Sequence, residues 1–246
     1  MANIHRPLLR GLGLLFAVAS VPTVAGVRVQ PMSYDLTPNG GTTKQDLRVE
    51  NTSSTPTPVE MRVELREILP DGTDKRTPAE DDFLIFPPQA ILPPNGFQTF
   101  RVQYIGDPTI TQTKLYLITA AQLPVSGTGE QTSGIQIVYN VGTLAAVTPK
   151  GASAKIVITG VTPTTDGKKI EITVTNNGTR YARLRHGIWT LTSGNGKTEI
   201  VEGEALRNAI ENSLIEPGKA RIVQLPVSDG FKQDGAKADF KLSDDK

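Results

Sequence analysis

Short runs in which apolar and polar residues alternate recur along the chain, and turn-forming clusters separate them. Alternation over about four to eight residues predicts a half-buried strand, because successive side chains point to opposite faces of a sheet. With about seven such strands and their turns, the first half is typical of an immunoglobulin-like sandwich. Its clearest runs are Val27–Val29, Asp46–Glu50, Val59–Leu65, Phe97–Tyr104, Leu115–Ala121 and Ile135–Val141.

The alternation stops at Pro149-Lys150-Gly151 and then resumes. Its later runs are Lys155–Val161, Lys169–Thr175, Ala182–Leu191, Ile200–Glu202, Ala220–Leu225 and Ala238–Leu242. We therefore predict an all-β protein with two immunoglobulin-like domains, at residues 26–148 and 152–246, joined by a linker at 149–151.

Residues 1–25 have the pattern of a signal peptide. Arg6 and Arg10 precede a short apolar run, and Thr23 and Ala25 fit the small-residue rule for cleavage before Gly26. The alternative is a membrane anchor, which needs roughly 20 apolar residues. Because Ser20 and Pro22 interrupt this run, the pattern favours export with cleavage.

Composition excludes several classes of function. The chain has no cysteine, which excludes disulfides and thiol chemistry. Its net charge of +1 becomes −1 once the two signal arginines are removed. A mature chain so close to neutral has no electrostatic footprint for nucleic acid or an anionic membrane, so neither partner nor membrane insertion is predicted.

Residues suited to catalysis are sparse. His186 is the one histidine of the predicted mature chain, and its neighbours Arg183, Arg185 and Trp189 look like strand residues. The acidic run Glu80-Asp81-Asp82 is typical of a solvated loop, where nothing separates the pKa values of adjacent carboxyls. With no phosphate loop, serine elbow or HExxH motif either, we predict neither an enzyme, nor a cofactor, nor a metal site.

The run Ile135–Val141 has the cleanest alternation in the chain. Ile135, Ile137, Tyr139 and Val141 fall on one face, and a polar, glycine-containing segment at 126–133 precedes them. Alternation alone cannot tell whether that face points into its own core or towards a partner. Both interpretations stay open at this level.

Four blocks of the sequence resemble the periplasmic pilus chaperones of chaperone–usher systems. They lie in the family's order and cover nearly the whole mature chain: Leu47–Asn51, Phe83–Val102, Leu115–Val125 and Val174–Leu184. The resemblance implies two immunoglobulin-like domains in a boomerang arrangement, a periplasmic location, and a role in pilus biogenesis.

It also implies donor-strand complementation, in which the chaperone lends a strand to an incomplete pilus subunit and delivers it to an outer-membrane usher. Carried onto this chain, the donor strand is Ile135–Val141. Its pocket-filling side chains are Ile135, Ile137, Tyr139 and Val141. No cofactor or nucleotide is implied.

One departure from the family concerns the subunit's terminal carboxylate, which two basic residues of the chaperone usually bind. The matching positions here are Pro31–Asp35 and Leu144, which contain no Lys or Arg. In this respect the chain resembles the divergent, archaic branch of the family more closely. Arg101 is the first substitute candidate, and Arg62 and Lys114 are weaker ones.

Two further hypotheses come from other classes. A structural or adhesive pilus component would need its own donor extension near the mature N-terminus, and Gly26–Gln30 is too short for one. An enzyme on a sandwich scaffold is disfavoured by the sparse polar clusters. A bare apolar strand also allows the unoccupied chaperone to cap itself as an oligomer.

Overall fold

The computed structural model describes residues 26–124 and 138–243, and the predicted signal peptide lies outside them. Within the described part of the first half, ten strands form two sheets. They are β1 (Val27–Gln30), β2 (Ser33–Leu36), β3 (Lys44–Asn51), β4 (Thr57–Ile68), β5 (Asp74–Pro78), β6 (Phe83–Phe86), β7 (Gln89–Leu92), β8 (Phe97–Tyr104), β9 (Lys114–Gln122) and β10 (Asn140–Val147). Four of the ten have four residues, too few to show a clear alternation in the sequence.

The two sheets of the first sandwich pack face to face. One has the strand order β1-β3-β8-β6, and the other has β2-β10-β9-β4-β5 with β7 also on β4. The predicted inward faces are confirmed, since Leu47, Val49, Phe100 and Val102 are fully buried between the sheets. Burial of these side chains stabilises the sandwich by about 1.5–3 kcal/mol each.

The second half forms a smaller sandwich with its own core. Its elements are β11 (Ile156–Pro163), β12 (Lys169–Asn176), β13 (Ala182–Arg183), β14 (Gly187–Thr192), β15 (Thr198–Val201), α1 (Gly203–Ala209), β16 (Leu214–Ile215), β17 (Ala220–Pro226) and β18 (Lys237–Leu242). The sheets are β11-β12-β17, β15-β14-β18 and the short pair β13-β16. The all-β fold with two sandwiches is therefore confirmed, and residues 148–155 between them contain no strand.

One strand prediction in this half was wrong. The run Ala182–Leu191 is divided by a 3₁₀ turn at Leu184–His186 into β13 and β14. The division arises because β13 pairs with β16 whereas β14 pairs with β15 and β18. The fully buried Trp189 fixes the turn by donating its indole N–H to the Leu184 carbonyl at 3.0 Å.

The two sandwiches touch through a third, smaller apolar cluster. Ile68, Leu115, Leu144 and Ala146 of the first pack with Tyr181 and Leu214 of the second. Polar bonds between the two sandwiches surround this contact. They include Thr113 N–H to the Thr179 carbonyl (2.9 Å), Ile222 N–H to the Pro70 carbonyl (2.8 Å), Arg180 to Asp35 (2.8 Å) and Lys219 to Glu67 (3.1 Å).

Candidate partner-binding edge and junction cavity

Strand β10 is paired along its whole length on one side and along only half of it on the other. β9 pairs antiparallel with all of Asn140–Val147. β2 pairs in parallel with Leu144–Val147 alone, starting where Ser33 lies opposite Leu144. On this side no strand among the described residues pairs with Asn140–Thr143, hereafter the open edge, although β1 lies close to β10.

The hydrogen bonds show which peptide groups face the open edge. The Tyr139 carbonyl accepts from Gln122 N–H on the β9 side, and Leu144 N–H donates to the Met32 carbonyl on the opposite side, both at 2.9 Å. Peptide groups alternate in direction along an antiparallel strand. Asn140 and Gly142 therefore turn their N–H and C=O groups outward, where an added strand could bind them.

The side chains of β10 alternate between the core and the junction. Ala145 and Val147 lie in the core of the first sandwich, whereas Leu144 and Ala146 face the contact with the second. Val141 is half-buried and packs against the first core. Tyr139 is also half-buried, and its ring lies so close to Gly26 that an added methyl there would be 3.3 Å away.

The predicted donor strand lies only partly within the described residues. Tyr139 and Val141 lie on the face that continues into the domain's own core, while Ile135 and Ile137 fall outside the described residues. The strand itself differs from the predicted run, because β10 begins at Asn140 and continues past Val141 to Val147, while the donor role of Ile135–Val141 stays a prediction. This continuation was not predicted because the apolar alternation is weak there. Gly142, Thr143 and two alanines have small side chains that give little contrast between the two faces.

The three predicted anchor cations lie at separate places. Arg101 lies on β8, in the sheet opposite β10, where it binds Asp46 in a bidentate pair at 2.9 and 3.2 Å. This hydrogen bonding lowers the pKa of the Asp46 carboxyl. Arg62 lies on β4, two strands from β10, and pairs with Glu60. Lys114 opens β9 opposite Val147, away from the open edge.

A cavity of about 720 Å³ lies where the two sandwiches meet and is hereafter the junction cavity. Met32, Ser33 and Leu144 line it from the first sandwich, at the place where the open edge ends. Arg183, Arg185 and Leu214 line it from the second. Sequence reasoning missed this grouping, because about forty residues separate Leu144 from the arginines and only packing brings them together.

Some charged side chains of the junction cavity form ion pairs, and others do not among the described residues. Arg66 binds Asp74 through two bonds of 3.0 Å, and Asn212 and Arg76 also contact that carboxylate. Arg183 and Arg185 are half-buried, and within the described ranges no carboxylate lies within ion-pair distance of either. Arg183 additionally contacts the ring of Tyr181, with its guanidinium carbon 5.6 Å from the ring centre.

A buried carboxylate helps to fix the junction. Glu216 is 8% exposed and accepts a hydrogen bond from the backbone N–H of Ile68 at 2.6 Å, across the two sandwiches. Burial raises the pKa of this carboxyl above its ordinary value, an effect that the bond from Ile68 partly offsets. The group therefore adds a buried hydrogen bond to the polar bonds that also span this contact.

Comparison with solved structures identifies the fold. The chain is similar to a chain of a chaperone–tip adhesin complex of CFA/I fimbriae biogenesis, with a TM-score of 0.56 and 17% identity over 89% of this chain and 95% of that one. It is also similar to a chain of the Salmonella enterica SafA pilin–SafB chaperone complex (TM-score 0.54, 17% identity, 91% and 99% covered). A third is the E. coli chaperone DraB (TM-score 0.52, 17% identity, 89% and 97% covered).

The chain therefore has the fold of the chaperone–usher fimbrial chaperones, as its sequence blocks predicted. No family model and no curated protein sequence matches it. Among residues 26–124 and 138–243, no helix is long and apolar enough to cross a membrane.

Proposed function

We propose that this protein is a periplasmic chaperone that binds pilus subunits by strand donation and delivers them to an outer-membrane usher. The observation that carries the proposal is the open edge of β10, an unpaired half-strand on a fold shared with fimbrial chaperones. Export through the signal peptide at 1–25 is part of the same proposal, as is the division into domains at 26–148 and 152–246 with a linker at 149–151.

The open edge supplies main-chain recognition. Asn140 and Gly142 together offer two donors and two acceptors. Each such bond contributes about 0.5–1.5 kcal/mol net when an added strand completes the sheet. Main-chain bonds of this kind give affinity for an extended segment of a partner without requiring a particular sequence.

We assign the rest of the binding free energy to the apolar side chains of the predicted donor strand. Val141 already packs partly on its own core, so it has less apolar surface left for a partner. Ile135, Ile137 and Tyr139 precede it on the same face, and we assign them the main pocket-filling role. Burial of each full side chain would contribute about 1.5–3 kcal/mol before the costs of association.

The test is co-expression with a candidate subunit from a neighbouring chaperone–usher gene cluster. We expect the subunit to accumulate in the periplasm only when this protein is present. Ile137→Asp should abolish that accumulation, because a carboxylate cannot enter an apolar groove without a large desolvation cost. The readout is the amount of subunit that co-purifies with the chaperone.

The matched control is Ile200→Asp, the same change at a 64% exposed isoleucine on β15 of the second sandwich. This variant should capture the subunit like the wild type. Undiminished capture by Ile137→Asp would refute the strand assignment. Absence of capture by the wild-type protein would refute the chaperone proposal itself.

A further inference from the structure

A groove of about 560 Å³ lies beside β17 of the second sandwich and is hereafter the β17 groove. We propose that it binds an extended segment of a protein partner that carries basic side chains. The groove contains no residue of the open edge of β10, so this inference goes beyond the proposed function and does not rest on it. The lining residues that carry the argument are Asp71, Glu171, Glu211, Arg221, Ile222 and Gln224.

The groove contains a strand edge that no strand covers among the described residues. β17 is the last strand of the sheet β11-β12-β17. Ile222 N–H donates to the Pro70 carbonyl at 2.8 Å, so this residue points its peptide groups away from β12. Because peptide groups alternate in direction along an antiparallel strand, Gln224 also points its N–H and C=O outward. Within the described ranges neither group has a backbone partner, so an added extended segment can pair there.

This uncovered edge is short and is bounded at both ends. At one end the Pro70 carbonyl already occupies Ile222 N–H, and at the other end Pro226 has no N–H to donate. The edge between them spans about 10 Å, which allows pairing with roughly three or four residues. A short edge that ends at a proline resists long, indiscriminate pairing. Selectivity must therefore come from the side chains around it.

The charges around the edge favour a basic segment. Asp71 lies in the turn between β4 and β5, Glu171 lies on β12 opposite Gln224, and Glu211 follows α1. None of these three carboxylates has an ion pair among the described residues. With Arg221 included, the lining has a formal charge of −2, from three carboxylates and one guanidinium. A concave surface of one sign attracts groups of the opposite sign.

The carboxylates suit separate cationic groups better than a single metal ion. In the part of the chain that the structure describes, no three His, Cys, Asp or Glu side chains are grouped to hold a metal. Side chains on alternate residues of an extended segment lie about 7 Å apart on one face. Lysines and arginines at that spacing can each reach a different carboxylate.

Arg221 provides a donor that a peptide can use and a simple cation cannot. Its side chain lines the groove and is 3% exposed, with bonds to the carbonyls of Leu214 at 2.8 Å and Asn212 at 2.7 Å. Its Nε–H has no acceptor among the described residues. A buried donor without an acceptor is costly, so a main-chain carbonyl of the bound segment is a favourable partner.

The β17 groove is separate from the junction cavity. Asn212 and Gly72 line both, and the Asn212 side-chain amide donates to the Gly72 carbonyl at 2.9 Å, so this bond lies between them. Arg183 and Arg185 line the junction cavity and not the groove. A basic segment in the groove therefore does not meet these two arginines.

The test uses a blocked pentapeptide, acetyl-Lys-Thr-Arg-Val-Lys-amide, whose basic side chains share one face when it is extended. The peptide is titrated at low salt into the isotope-labelled protein, and the backbone amide chemical shifts are followed by NMR. We expect a Kd below about 1 mM, because exposed ion pairs each contribute little. The shifts should centre on Asp71, Glu211 and Gln224. Absence of binding at that concentration, or shifts centred elsewhere, would overturn the proposal.

The charge requirement is tested with Glu171→Gln/Glu211→Gln, which should weaken peptide binding by about fivefold or more. The matched control is Glu202→Gln/Glu204→Gln, which makes the same change in net charge at two exposed glutamates outside the groove. It should bind the peptide like the wild type. Equal weakening by both pairs would show that overall charge drives binding, and the groove assignment would fall.

Main-chain pairing is tested with the same peptide methylated on the amide nitrogens of its Thr, Arg and Val residues, which keeps its charge. This peptide should bind at least about fivefold more weakly, because it has lost the donors that pair with a strand edge. Gln224→Pro removes an outward N–H and no bond to β12, so it should weaken binding of the unmodified peptide. Equal binding of the two peptides would mean that charge alone is recognised, which contradicts an extended, paired segment.

Discussion

The two halves of β10 both pair with β9, but they differ in their pairing on the other side and in their burial. The half Leu144–Val147 is paired on both sides, and its four residues are buried either in the first core or in the junction. The half Asn140–Thr143 is paired on one side, and its exposure falls from Asn140 towards Thr143. One strand therefore contains a segment that is paired on both sides and a segment whose outer edge is unpaired among the described residues.

Because of this difference, substitutions in the two halves should separate effects on partner binding from effects on the stability of the fold. Changes in the buried half should unfold the first sandwich before they affect any partner. Changes in the open half should affect the partner and leave the fold largely intact. Substitutions in each half, and at the junction beside them, can break or sharpen this contrast.

The largest effect is expected for Ala145→Asp in the buried half. Ala145 is fully buried between Tyr34 and Tyr116 on the neighbouring strands. A carboxylate there would be buried without a partner, at a cost of about 3–5 kcal/mol. Urea unfolding should show this loss, whereas Asn140→Asp in the exposed half should shift the midpoint very little. Equal shifts for both variants would remove the distinction between the two halves.

A smaller and more selective effect is expected for Asn140→Pro. The Asn140 N–H faces the open edge, so its loss removes no bond to β9, and proline is tolerated at such edge positions. Subunit capture should fall about tenfold or more, because the ring blocks the approaching strand and removes a donor. Stability should change by less than about 1 kcal/mol.

The matched partner of that variant is Val141→Pro, one residue further along. The Val141 N–H points towards β9, so this proline removes a ladder bond and should cost about 1–3 kcal/mol of stability. The contrast is measured by thermal unfolding beside subunit capture. If Asn140→Pro proves as destabilising as Val141→Pro, the assignment of outward peptide groups is wrong.

The smallest effect concerns the junction that joins the open edge to the second sandwich. Burial raises the pKa of the Glu216 carboxyl above 4.5, so the folded state holds this proton more tightly than the unfolded state. The resulting stabilisation is fully present below about pH 4.5 and is lost as the pH rises through the folded-state pKa. Lys219 and Arg66 favour the charged form of the group, and Glu67 opposes it.

Glu216→Gln should therefore raise the unfolding temperature at pH 7, on the order of 2 °C, because the amide stays neutral and still accepts from Ile68 N–H. The difference between variant and wild type should shrink as the pH falls towards 4.5. Thermal unfolding at a series of pH values measures it. A variant less stable than the wild type at pH 7 would mean that the charged carboxylate is net stabilising.

Much of the fold could be predicted because alternation is a local property. The inward residues Phe100 and Val102 of β8 and the strand β12 follow directly from a period of two. Strands of four residues such as β2 and β7 are too short for that signal. The break at Leu184–His186 was missed because it depends on which distant strands pair with each side of it.

The candidate site divides in the same way. The sequence pointed to the segment that leads into β10 and to its apolar face, while the end of the strand at Val147 was missed. The anchor candidates were chosen by their positions in the sequence, and sequence position alone does not show which residues are close in space. In the structure, Arg101, Arg62 and Lys114 lie at separate places in the fold. The roles of these residues, like the place of the chain in the archaic branch, stay predictions.

By itself, the sequence determined that the chain forms two β sandwiches, which side chains face each core, and roughly where an apolar strand precedes the second sandwich. Only the tertiary structure decided that half of that strand has an open edge and that Arg183 and Arg185 lie where the edge ends. The physical reason is the distance along the chain over which each kind of interaction acts. Alternation and turn chemistry act between neighbours in the chain, whereas an open edge depends on where β2, more than a hundred residues away, stops pairing with β10.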